Sequence, residues 1–230
     1  MTISARDIDH LTLTLSDPEA VAARLQQLGF TLTPENGDSR CVCIEPPGDD
    51  MPTYIELLAG DFSGIAVALN VAKAEGEQRT YSWETEDGQQ IEASLVVGES
   101  GGPIPWFAVQ HETPEAFIEP EWVVHPNGAL AMMAVHAVAD QPKDLAGKLA
   151  KAWKGKVDEI FDGCVVVRTG DVEFFLWSVA AWQAEYKAIE AMAPEQKPAI
   201  VGVSVAVERA RPLQALLRAN NVPFALAEGD

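Results

Sequence analysis

The sequence predicts an α+β fold built from tandem βαβββ modules, on three observations. A strand, a capped helix and three short strands follow one another within residues 7–58, and the same order returns from residue 130 with sharper turn signals. Further strand openings at residues 63 and 199 give four starts, which group into two paired modules spanning 5–118 and 125–230, the last module incomplete.

In the first strand, Asp7 to Leu15, the residues Leu11, Leu13 and Leu15 alternate with Thr12 and Thr14, so one face is apolar and the other, carrying His10, is polar. Asp17 can cap the helix that follows and Pro18 suits its first position. Val21, Leu25 and Leu28 form its buried stripe and Gly29 closes it. Strands are then expected at Phe30 to Thr33, Arg40 to Glu45 and Tyr54 to Leu58.

The second module opens with a strand from Ser63 to Asn70 and has only an eroded helix. It continues through Thr80 to Trp83 and Gln90 to Val97, on either side of a Glu86-Asp87-Gly88 turn, and ends in Trp106 to His111 after a Gly-Pro-rich loop. Residues 112–128, rich in Pro and Glu, link the halves.

The third module has a strand from Leu130 to Val138 and a helix begun by Asp140 and Pro142. That helix carries Leu145, Leu149 and Trp153 on one stripe and is stopped by Gly155. Strands Val157 to Phe161, Cys164 to Arg168 and Val172 to Trp177 follow, joined by Asp162-Gly163 and Gly170-Asp171 turns. A helical stretch, Ala180 to Met192, precedes the fourth start. There the strand Ala199 to Val207, a helix with Leu213, Leu216 and Leu217 on one face, and a strand from Val222 to Leu226 leave the module two strands short.

At 230 residues, 47% hydrophobic and 22% charged, the chain has the composition of a soluble globular protein. A net charge of −19 argues against nucleic acid or an anionic membrane as partner, since both would be repelled. No apolar run approaches the roughly 18 to 20 residues that span a bilayer, and the N-terminus lacks the apolar stretch of a signal peptide, so the cytoplasm is the expected location. Three cysteines, Cys41, Cys43 and Cys164, suit a reducing compartment. Cys41 and Cys43 share a strand face, as a metal pair or as ordinary buried residues; no second pair stands at zinc-finger spacing. P-loop, dinucleotide, HExxH, GxSxG and EF-hand patterns are all missing from the sequence, which removes nucleotide-dependent and serine-hydrolase readings.

The front stretch, DHLTLTLSDPEAVAARLQQLGF, together with YIELL at residues 54–58, resembles the vicinal oxygen chelate superfamily of glyoxalases, bleomycin-resistance proteins and extradiol dioxygenases, and its glyoxalase-like domain branch in particular. The resemblance implies that paired modules curl into a trough with helices outside. In active members a divalent metal sits in the trough, held by first- and last-strand residues of each module. Carried over by position, His10 and Glu56 are the ligands of the first module. Gln110 or its neighbour His111 serves for the second, and the first strand of that module offers only Ser63 and Gly64, so a fourth ligand is missing.

With His111 the set is two histidines and one carboxylate, open to substrate and suited to Fe, Mn, Ni or Zn. Adjacent strand residues point to opposite faces, so only one of Gln110 and His111 enters the trough unless a bulge intervenes. Glu56, or a metal-bound hydroxide, is then the base. Against this, His10 could simply bond a neighbour, and Glu56 could pair with Arg40. Tyr54, Trp83 and Trp106 are expected to line the trough for a flat or aromatic ligand, with Arg40 anchoring an anionic group or pairing with a carboxylate. His125 reads as a turn histidine and His136 as a satisfied one; Met133 stands where the first module has His10, so Glu173 makes no second metal site.

Three functions remain in view. The first is a metal-assisted lyase, isomerase or dioxygenase acting on a small oxygenated or aromatic molecule. The second is a metal-free protein that binds or sequesters a small hydrophobic compound. The third is a scaffold whose modules serve homodimerisation and whose trough is filled by side chains.

Overall fold

Two sheets divide the strands in chain order. The computed structural model describes residues 7–35, 38–44, 53–61, 64–84, 88, 90–117, 119–187 and 197–226. The first sheet is formed by β1 (Ile8–Leu15), β2 (Ser39–Cys43), β3 (Tyr54–Ala59), β4 (Gly64–Asn70), β5 (Glu77–Glu84), β6 (Gln90–Gly101) and β7 (Trp106–His111), with helix α1 (Pro18–Gln27) after β1. The second sheet is formed by β8 (Ala129–Val138), β9 (Lys156–Phe161), β10 (Cys164–Arg168), β11 (Glu173–Trp177) and β12 (Ala199–Val207). Helices α2 (Pro142–Trp153), α3 (Val179–Glu185) and α4 (Ala210–Ala219) accompany it.

The strand orders are β2-β3-β1-β4-β7-β6-β5 and β12-β8-β11-β10-β9. In the first sheet β1 runs parallel to β3 and antiparallel to β4, and β4 runs parallel to β7. The same relation recurs in the second, where β8 is parallel to β11 and antiparallel to β12. The architecture is therefore α+β with paired modules, two of them joined at β1 and β4.

Local chemistry explains most elements. Asp17 accepts the Ala20 amide at 3.0 Å and Pro18 opens α1, while Gly29, at φ 78°, closes it. Leu145, Leu149 and Trp153 bury the inner stripe of α2. That helix is closed one residue earlier than expected, by Lys154 in the left-handed conformation. Gly155 is needed for a different reason: a Cβ there would stand 2.6 Å from the Arg168 carbonyl oxygen.

Other elements also differ from expectation. Residues 30–33 form no strand, although the Thr33 amide donates to the Cys41 carbonyl at 2.9 Å. Residues 71–76 of the second module carry no helix, and 222–226 no strand. α3 ends at Glu185; the expected helical residues beyond 187 lie outside the described residues, as do Glu45, Ser63, Glu86 and Asp87.

The backs of the two sheets and α2 share one core. Ile8, Leu11, Val67 and Trp106 from the first sheet pack in the same cluster as Met132, Val135, Phe174 and Leu176 from the second, with Leu149 and Trp153. Among the described residues no helix is long and apolar enough to cross a membrane.

Candidate functional site

Both edges of the first sheet reach one cavity, so the sheet curls around it. Ser39, Cys41 and Cys43 of β2 form one wall and Arg79 and Tyr81 of β5 the opposite one, although these strands are at the two ends of the sheet order. The space it encloses, counted out to the open mouth, is about 790 Å³. Its halves differ. β1, β2 and β3 supply His10, the thiols, Tyr54 and Glu56, whereas β6 and β7 supply Leu95, Val97, Phe107 and Val109. Trp122, from the turn at residues 120–123, closes the side beside Tyr54 and Cys43.

A bulge in β1 builds the polar end. Ile8 pairs with Leu69 and His10 with Ala68, leaving Asp9 as an extra residue. Ile8 and Leu11 therefore both enter the core, while Asp9 and His10 both serve the trough side. Asp9 Oδ1 lies 2.5 Å from His10 Nδ1, and Asp9 Oδ2 lies 3.0 Å from His111 Nε2. Burial alone would raise the Asp9 carboxyl, but His111 and His10 beside it outweigh burial and hold it well below the usual carboxylate range. An ionised carboxylate only accepts, so His10 donates from Nδ1, which leaves Nε2 on the other side of the ring.

That nitrogen faces Glu56, with Oε2 at 3.9 Å, too far for a hydrogen bond. The Glu56 carboxylate is held from behind by the hydroxyls of Thr12 at 2.8 Å and Ser39 at 2.9 Å. His10 stacks on Tyr54, ring centroids 4.2 Å apart, with the edge of Phe107 on its other side.

The structure brings His10, Glu56, Tyr54 and His111 to this end of the trough and sends three other candidates elsewhere. Arg40 alternates away from Ser39 and Cys41 to the outer side of the sheet, where it pairs with Glu35 at 3.1 Å and Glu19 at 3.4 Å and does not line this cavity. Trp106, opposite in phase to Phe107, is buried in the shared core. Gln110 lies on the same outer face, and its side-chain oxygen accepts the Ala74 amide at 2.9 Å. The backbone of Trp83 lies in β5; its side chain is outside the described residues. Asp9 is the residue that strand alternation missed.

These donors do not fit the expected three-ligand metal centre. His111 turns Nε2 toward Asp9, Gln110 faces away, and the β4 positions paired with His10 and Thr12 are Ala68 and Ala66. Only His10 Nε2 and Glu56 converge, and among the described residues no three His, Cys, Asp or Glu side chains are placed to hold a metal ion. Burial pushes the Cys43 thiol up to about 12, and burial with the nearby Glu56 charge raises Cys41.

The other histidines are structural. His125 accepts the Thr31 amide at Nδ1 and donates from Nε2 to the Cys43 carbonyl, 2.6 Å away. His136 lies on the corresponding concave face of the second sheet. That face is occupied by α3, whose Trp182 packs with Val138, Cys164 and Trp177, while Tyr186 just beyond the helix packs against them. Glu173 pairs with Arg168, and Met133 is half exposed.

No family model matches the sequence, and no curated protein matches it. Solved structures do share the fold. A xylose isomerase-like TIM barrel/4-hydroxyphenylpyruvate dioxygenase fusion protein is similar at 11% identity and TM-score 0.58, over 96% of this chain and 39% of its own. The Mn(II)-bound glyoxalase from Novosphingobium aromaticivorans is similar at 10% identity and TM-score 0.55, over 94% of this chain and 71% of that one. A variant of homoprotocatechuate 2,3-dioxygenase from B. fuscum gives 13% identity and TM-score 0.54, over 97% and 64%. The chain thus spans less than two thirds of the length of the fusion protein and of the dioxygenase. At these identities the likeness is one of fold, that of glyoxalases and extradiol dioxygenases.

Proposed function

We propose that the trough of the first sheet binds a small, flat organic molecule, with Glu56 and His10 meeting its polar end and the β6 and β7 side chains covering its apolar body. The observation that carries this reading is a cavity enclosed by both edges of one sheet, with one polar and one apolar half. Where the ligand reacts, Glu56 is the side chain placed to take its proton, because its carboxylate is fixed by two hydroxyls and open to the cavity. A net charge of −19 favours such a partner over nucleic acid or an anionic membrane.

The metal-assisted lyase or dioxygenase alternative calls for a third donor beside His10 and Glu56. Metal analysis of freshly purified protein, repeated on His10→Ala, separates the two readings. Binding of aromatic probes that survives chelator treatment, with no stoichiometric metal, supports the metal-free trough. One Mn, Fe, Ni or Zn per chain, lost in the variant, overturns it.

A further inference from the structure

On the reading that the first trough takes a small organic ligand, we infer that this ligand carries a carboxylate, seated on the Arg79 guanidinium and the Tyr81 hydroxyl at the wall opposite Glu56. Among the described residues lining the cavity, Arg79 is the only lysine or arginine. Arg79 and Tyr81 are two apart on β5 and so project to the same face. There Arg79 stands across from Leu95 of β6, and Tyr81 packs with Leu95 and Val109. The cation therefore borders the apolar half of the trough.

Arg79 keeps donors to spare. Glu77 lies 3.8 Å from it and both side chains are largely exposed, which is beyond hydrogen-bond distance and worth little as a surface pair. The guanidinium also lies against the Tyr81 oxygen, and a hydroxyl that accepts from arginine keeps its own hydrogen to donate. Burial raises the Tyr81 hydroxyl above its ordinary value, so that hydrogen stays in place at neutral pH. N–H and O–H donors thus meet at one spot, and a planar carboxylate accepts from both.

Glu56 sets the orientation. A carboxylate at the end built by β1 and β3 would meet like charge, whereas at β5 it meets a cation. In the sheet order β7 and β6 separate β1 from β5, so Phe107, Val109, Leu95 and Val97 line the stretch between and take the apolar body. The chain's net charge of −19 is screened beyond about 8 Å at physiological salt, which leaves the group in contact to decide.

The test is calorimetric titration of the full chain, near neutral pH and in about 0.15 M salt, with three matched probes: naphthoate, naphthylmethanol and naphthylmethylammonium. Naphthoate is expected to bind at least about tenfold tighter than either of the others. Arg79→Gln should bring naphthoate within about twofold of the alcohol, while unchanged alcohol binding reports an intact trough. Alcohol or ammonium binding as tightly as naphthoate to the native sequence would overturn the carboxylate assignment and leave the trough reading standing. A naphthoate preference that persists unchanged in Arg79→Gln would seat the anion elsewhere and overturn it too. If folded protein binds none of the three, both readings fall.

Discussion

Asp9 holds two histidines from opposite ends of the first sheet's sequence, His10 through Oδ1 at 2.5 Å and His111 through Oδ2 at 3.0 Å. All three side chains are almost fully buried, so removing the carboxylate strands two imidazoles without that acceptor. Asp9→Ala should cost about 3 kcal/mol, and Asp9→Asn, which keeps the shape and one oxygen, clearly less. Urea unfolding of both variants measures this. A loss below about 1 kcal/mol for the alanine would show that the bridge contributes little.

The second sheet should make the protein acid-sensitive. His136 accepts from Trp177 Nε1 at 3.1 Å and donates to Ser204 Oγ at 2.7 Å, and burial pushes it down to about 4. The unfolded chain therefore binds a proton between about pH 6.5 and pH 4 that the folded protein refuses, and stability falls as pH drops through that window, by at most about 3 kcal/mol. Asp9 acts in another window. Its folded carboxyl lies below the unfolded value of 3.8, so its contribution is present above that pH and is lost only in stronger acid. Unfolding curves collected from neutral pH down to about 4 should show the decline, and His136→Gln should flatten it.

Filling the trough should abolish binding without unfolding the chain. Val97 is half-buried and lines the cavity, so Val97→Phe projects its ring into open space rather than into the core. Probe affinity should drop more than about tenfold while stability changes by less than about 1 kcal/mol. Unaltered affinity would place the bound molecule somewhere else.

The aromatic filling of the second sheet is structural, so its loss should be felt as instability alone. Trp182 is 2% exposed and packs against Trp177 and Tyr186. Trp182→Ala should cost about 3 to 5 kcal/mol yet leave probe binding in the first trough within about twofold. Its indole N–H is buried without an acceptor, so Trp182→Phe, which removes that donor, should be much milder.

Much of the architecture was readable because capped helices, short strands and tight turns recur in order. At the site, alternation was the tool that both worked and failed. It places Cys41, Cys43, Glu56 and Phe107 on the cavity face, and applied with equal rigour it also sends Arg40 and Trp106 away, since each is one residue out of phase with a lining neighbour. His111 likewise shares its phase with Phe107 and Val109, which separates it from Gln110. Asp9 escaped because a bulge suspends the period. The sign of that bulge is present in the sequence, where apolar residues stand at 8, 11, 13 and 15 rather than at every second position. The direction of His111 Nε2 toward Asp9 depends on a contact between strands distant in sequence, which no local pattern encodes.

With α3 lodged in the hollow of the second sheet, the two halves of the chain should tolerate substitution differently. Change among the cavity residues of the first half alters the lining of an open space while the framework survives. Equivalent change along Val179–Glu185, or beneath it at His136 and Trp177, unseats packing and should lower stability. Descendants of this protein would then diversify in chemistry through their first hundred residues and stay conservative in the aromatic interior of the second sheet.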